Sequence, residues 1–303
     1  MVHQLLHGCL SNMSNLTDLI SAGGSGGGAL FTIPVTKSTT WTPPFDGTAV
    51  IHCIGAGGSG SSNINANEEA GGGGAGGYSR KVVTLSTGTN WTMVVGAGGA
   101  SVGRNSNGNA GGNTTATDGS SSLAGNGGGG GVKGSSPTAG AGGTASGGDI
   151  NNTGGAGGTG SLNGKKMNGG GAVGILGTGN SGPSITASNG HYVQIYYGAD
   201  SDVQSPQFEN TNGELRGGGR GGVFAWNQGT PSQAQRPHGG FLAGGGAAMV
   251  DPNQGATYYM IKAGDGGIGG GGGSAENYNV GEVECSAGAG GAGLIIVMYT
   301  AIG

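Results

Sequence analysis

The sequence predicts a mostly irregular, β-rich fold. Its body is a sandwich of glycine helices of the polyproline-II type, clamped by a small β-structure and preceded by a short α-helix. Three observations predict it. Glycine supplies 80 of 303 residues, but charge is too sparse (9%) to hold the chain open by self-repulsion. The glycine runs share a length of about six to ten residues, so as three-residue-per-turn helices rising ~3.1 Å per residue each would span ~20–30 Å. The glycine-rich body ends on "GGAGLIIVMYT" (290–300), an apolar run that a disordered polymer would not need.

The first element is the amino-terminal helix. Val2, Leu6, Cys9, Met13, Leu16 and Ile20 are spaced 4-3-4-3-4, one apolar seam at helical period. Glycines from Gly23 stop it. Such a short helix cannot bury its seam alone and must pack on the body, on copies of itself or on a partner. Residues 1–28 are read as an attachment or oligomerisation segment, with a helix lying on its own domain as the alternative, and residues 29–303 as the glycine-rich domain.

Strands follow. "ALFTIPV" (29–35) and "GTAVIHCIGAGG" (47–58) flank "TWTPPFD", whose prolines suit a turn or an edge. "YSRKVVTLS" (78–86) and "NWTMVVGAGG" (90–99), joined by "GTN", read as a hairpin. Glycine tracts then dominate, among them "GGGGAGG" (71–77), "GNGGGGG" (125–131), "GGAGGTG" (154–160), "GGGRGG" (217–222), "GDGGIGGGGG" (264–273) and "AGAGGAG" (287–293). Polyproline-II backbone makes no internal hydrogen bonds, so its polar groups face neighbouring tracts, and only glycine lets backbones approach closely. Each such bond contributes a net ~0.5–1.5 kcal/mol, while glycine loses the most entropy on ordering. The lattice thus needs its ends fixed by apolar strands, and "LIIVMYT" is the closing strand, paired with an early one.

Composition excludes several classes. Nine prolines without a Gly-X-Y period exclude collagen. With 11 basic against 15 acidic residues there is no footprint for nucleic acid. The first cation is Lys37, so no secretory leader is expected, and no run of 18 apolar residues suggests membrane insertion. Cys9, Cys53 and Cys285 make no framework; they read as small buried hydrophobes rather than as a Cys53–Cys285 bridge.

The landmarks F-x-I-P, a strand ending in GAGG, a glycine run, a second strand ending in GAGG, and G-x-G before a terminal apolar strand resemble the glycine-rich domain of bacteriophage tail-fibre and tail-tip proteins. The likeness covers about residues 30–100 and 287–300 and extends to T-even-type tail-fibre tip adhesins. It implies a polyglycine-II sandwich whose distal loops bind a receptor on the host cell surface, an outer-membrane protein or a polysaccharide. It further implies a location in the virion, docking to other tail or fibre proteins, and no enzymatic activity or cofactor, and it allows a homotrimer. The chain departs from those adhesins in its attachment region, which is far shorter here.

Candidate chemistry is sparse. "GAGGSG" (55–60) fits G-x-G-x-x-G, but chance supplies about five such matches at this glycine content, and no helix pattern follows. It reads as a tract. Glu68/Glu69, Glu282/Glu284 and Asp200/Asp202 lack a scaffold to hold two carboxyls across a glycosidic bond and read as solvated loop charges. His3, His7, His52, His191 and His238 show no metal-ligand spacing; no metal site is expected. Bulky side chains interrupt glycine mainly in an insert at about 180–262. There Tyr192, Tyr196, Tyr197, Phe208, Phe224, Trp226, Tyr258 and Tyr259 either cap the slab or contact a receptor. Aromatic side chains on loops carried by a rigid scaffold give large contact area at low entropy cost, and these eight are the receptor-binding candidates.

Overall fold

The computed structural model describes residues 30–65, 68–159, 166–182, 184–186, 238–250, 261–277 and 285–301. Among them the regular structure is all β-strand, without helix, and the rest is irregular backbone. The expected amino-terminal helix lies outside the described residues.

Two antiparallel five-stranded sheets face each other. The first has the order Leu30–Val35, Leu294–Ala301, Gly47–Ile54, Tyr78–Leu85, Ile150–Asn152. The second runs Thr39–Trp41, Trp91–Val94, Thr114–Thr117, Ser122–Gly125, Ala145–Ser146. Alternation along each strand sets the core. Ala49, Ile51 and Cys53 point inward with Val83, Leu85, Ile295, Val297 and Tyr299, against Trp91, Met93, Ala116 and Leu123 of the second sheet. Full burial of side chains such as Ile51 or Ile295 contributes ~1.5–3 kcal/mol each. The closing strand pairs on both sides, with Ile295 opposite Val35 and Cys53.

One expected element is corrected. Tyr78–Leu85 and Trp91–Val94 do not form a hairpin: the former pairs with Gly47–Ile54 and the latter with Thr39–Trp41 and Thr114–Thr117. Inward-facing Leu85 and Trp91 sit on opposite walls of one core, so the connection between them crosses from sheet to sheet. Cys53 and Cys285 are free and buried, as small hydrophobes.

Each long strand of the sandwich continues into a glycine tract, and the tracts hydrogen-bond to one another through their backbones. From Gly55 to Gly60, successive N–H groups donate to Gly77, Gly112, Gly291, Gly74, Asn109 and Gly288, at 2.8–3.1 Å. The direction rotates through three neighbouring tracts and returns every third residue. Three further tracts donate back, Gly128 to Ala56, Gly99 to Gly57 and Gly272 to Gly58, so six surround this one. Residues 72–77 repeat the rotation, donating to Gly158, Gly272, Gly129, Gly155, Gly269 and Asn126. Residues 55–62, 70–77 and 269–276 are buried throughout, where unpaired backbone groups would be costly. A Cβ at Gly57 would lie 1.9 Å from the Gly270 carbonyl oxygen, so no larger residue fits there.

The tracts at 169–174, 239–247 and 264–273 have no strand in the sandwich and are pinned by apolar plugs. Val173, Leu242 and Ile268, with Ile175 and Phe241, pack on Ile54, Tyr78, Leu294 and Ile296 at the outer face of the first sheet. The plug turns need left-handed backbone at Leu242 (φ 65°) and Gly269 (φ 70°).

Candidate functional site

The lattice has two unlike ends. Gly55 lies beside Gly77 at the sandwich, the proximal end; Ser61 lies beside Gly71 and Ala275 at the distal end. At the distal end the tracts give way to short parallel pairings, Ala275–Asn277 with Ala248–Val250 on one side and Ser62–Asn63 on the other, and Ile261–Lys262 with Cys285–Ser286. Lys166–Asn168 pairs antiparallel with Ser184–Thr186 there as well. The described residues on both sides of 66–67, 160–165, 251–260 and 278–284 lie at this end, as does the amino-terminal side of 187–237. On the carboxyl side of 187–237, His238 stands on the lattice flank, 3.3 Å from Asp265.

All eight aromatic candidates, Tyr192, Tyr196, Tyr197, Phe208, Phe224, Trp226, Tyr258 and Tyr259, lie outside the described residues, within segments that leave the lattice from its distal end. Val2, Leu6, Cys9, Met13, Leu16 and Ile20 also lie outside them, before Leu30. Leu30 pairs with Thr300 at the extremity of the sandwich farthest from the lattice.

The distal rim is a polar, hydrogen-bonded floor. Lys133 Nζ donates to Glu68 Oε2 at 2.9 Å, and Asn65 Nδ2 to the same oxygen at 2.8 Å. These two bonds, the lysine's first, hold the Glu68 carboxyl below its usual range. Asn63 donates to the Asn65 and Glu68 carbonyls and closes the turn. The reading of Glu69 as a solvated charge is corrected: its side chain is 2% exposed, and its backbone exchanges two 3.0 Å bonds with Gly134. Glu276 is fully buried, and its Oε1 accepts the Ala70 N–H at 2.8 Å, a carboxylate standing where a backbone acceptor is missing. Sequence reasoning passed over Glu276, because an acidic residue beside a glycine run reads as exposed.

Ser62 Oγ lies 3.2 Å from both the Cys285 carbonyl oxygen and Sγ. Burial pushes the Cys285 thiol up to about 11 and Cys53 to about 12, so neither is a thiolate near neutral pH. Among the described residues no three His, Cys, Asp or Glu side chains converge as a metal site, and no helix is long and apolar enough to cross a membrane. The N–H groups of "GAGGSG" are spent on neighbouring tracts, which leaves no cradle for a phosphate.

Residues 33–300 match the model of a family described as a glycine-rich domain. The search of curated proteins gave no match.

Proposed function

Since the chain belongs to the glycine-rich domain family, matched over residues 33–300, we propose that it is a phage tail-fibre or tail-tip adhesin that binds a host surface structure without cleaving it. In this reading the tracts are polyglycine-II helices forming a stiff mount, a reading supported by the three-residue rotation of their hydrogen bonds. The protein sits in the virion, and its proximal end, with residues 1–28, faces other tail or fibre proteins. The observation that carries the proposal is the polarity of the chain. It enters at the proximal end, and the segments holding the eight aromatic candidates leave from the distal end.

The test is binding of the purified protein to host outer-membrane and polysaccharide fractions. Truncating an aromatic hot spot commonly costs about 2 kcal/mol, roughly thirtyfold in affinity. Trp226→Ala or Tyr196→Ala should weaken binding by about that factor without lowering the melting temperature. A lower melting temperature with intact binding would make those aromatics caps of the lattice. Absence of binding to any fraction would leave a purely structural fibre protein, and released sugar would identify a depolymerase.

A further inference from the structure

The outer face of the first sheet carries an uncovered apolar band. By register, Thr32, Met298, Val50 and Val82 form one row across four strands, and Pro34, Ile296, His52, Arg80 and Ile150 the next across five. Val82 is 47% and Ile150 40% exposed, while Val50 and Met298 are half-buried. The plugs Val173, Leu242 and Ile268 cover the sheet only as far as Ile296. An antiparallel sheet normally turns polar side chains to water on its free face. The second sheet does so with the row Thr40, Thr92, Thr117, and the first with its end row, Thr48 and Thr84, which leaves the apolar band between that row and the plugs.

We propose that residues 1–20 of the same chain seat their apolar seam on this band. The chain enters the sheet at Leu30, on its edge strand and at the uncovered end of the face. Twenty-nine residues precede that point. As a helix, residues 2–20 span ~28 Å at 1.5 Å per residue, and five strands spaced ~4.8 Å make a face ~19 Å across. The small residues 21–29 reach at most ~30 Å, enough to turn the segment back over the sheet. The chemistry matches: the seam is Val, Leu, Cys, Met, Leu, Ile, and Asp18 is the acidic residue of the segment, against Arg80 on the face. The pairing buries two apolar surfaces that neither part covers alone, and it leaves the polar side of the helix outward at the proximal end. The inference does not depend on the adhesin reading, and its test does not measure host binding.

Cys9 lies mid-seam and serves as the probe, since Cys53 and Cys285 are buried. Full-length Val82→Cys and Met298→Cys variants, dilute and mildly oxidised, should form an intrachain disulfide to Cys9, read by peptide mapping of the monomer band. Linkage in at least one of them should run tenfold or more faster than in Thr92→Cys, on the outer face of the second sheet. Links between chains that grow with protein concentration would assign the face to a second copy and overturn the proposal. So would no linkage in either variant, or linkage as fast in Thr92→Cys.

Discussion

The N–H of Gly57 donates to the carbonyl of Gly291 at 2.8 Å, tying the first glycine tract among the described residues to the last. The approach leaves no room for side chains in either direction: a Cβ at Gly290 would sit 1.9 Å from the Gly57 carbonyl oxygen.

Glycine should therefore be indispensable by position rather than by type. Gly57→Ala forces backbone apart and should destabilise by at least the ~1–3 kcal/mol typical of overpacking. At Gly103 an added Cβ meets nothing within 4 Å. Gly103→Ala should leave the melt unchanged or raise stability by ~0.4–1 kcal/mol through the unfolded state. Equal melting of the two variants would contradict the close-packed tracts.

Removing residues 294–303 should abolish cooperative folding. That segment lies between Leu30–Val35 and Gly47–Ile54 and supplies Ile295, Val297 and Tyr299 to the core. A truncated chain that keeps a sharp thermal transition would show that the lattice stands without its clamp.

His52 gives a pH signature. Its Nδ1 lies 2.8 Å from the Tyr78 hydroxyl, and burial first, then the charge of Arg80, lowers its pKa below 6.5. Below about pH 6.5 the unfolded chain takes up a proton that the folded one resists, so this contribution to stability is complete above that pH and falls as pH drops toward the folded value. The melting temperature of the wild type relative to His52→Gln should decline from pH 7 to pH 5. A constant difference would show that the histidine is not a linked group.

Leu242 tests the plugs. It is fully buried with φ 65°, so Leu242→Ala loses the packed side chain, ~2–5 kcal/mol, while keeping a left-handed backbone that costs a non-glycine residue ~1–2 kcal/mol. Leu242→Gly loses the same contacts but relieves the backbone. The glycine variant should melt no lower than the alanine variant, the reverse of the usual order in regular structure.

Sequence pattern located the strands where β-branched residues cluster, at 30–35, 47–54, 78–85, 91–94 and in the closing run. It also located the glycine tracts and the burial of Cys53. Thr114–Thr117 and Ser122–Gly125 were not legible, because "TTAT" and "SLAG" carry little apolar alternation and are strands by virtue of their partners. The crossing between the sheets was misread because a short "GTN" link resembles a hairpin turn. Short apolar islands among glycines, at Val173, Phe241–Leu242 and Ile268, have no period to reveal them. Buried Glu69 and Glu276 were hidden by the rule that charge lies outside. The aromatic candidates rest on composition, with the rim of the lattice placing where their segments begin.

The sheet order sets a schedule for the ribosome. The slot between Leu30–Val35 and Gly47–Ile54 is filled by Leu294–Ala301, so it stays empty while the intervening tracts are translated. At about 5–20 residues per second that interval is some tens of seconds. Throughout it the nascent chain carries two open strand edges around a vacant groove, so this sandwich is assembled after its last strand leaves the exit tunnel, and the cell must keep those edges from pairing with a neighbouring polypeptide.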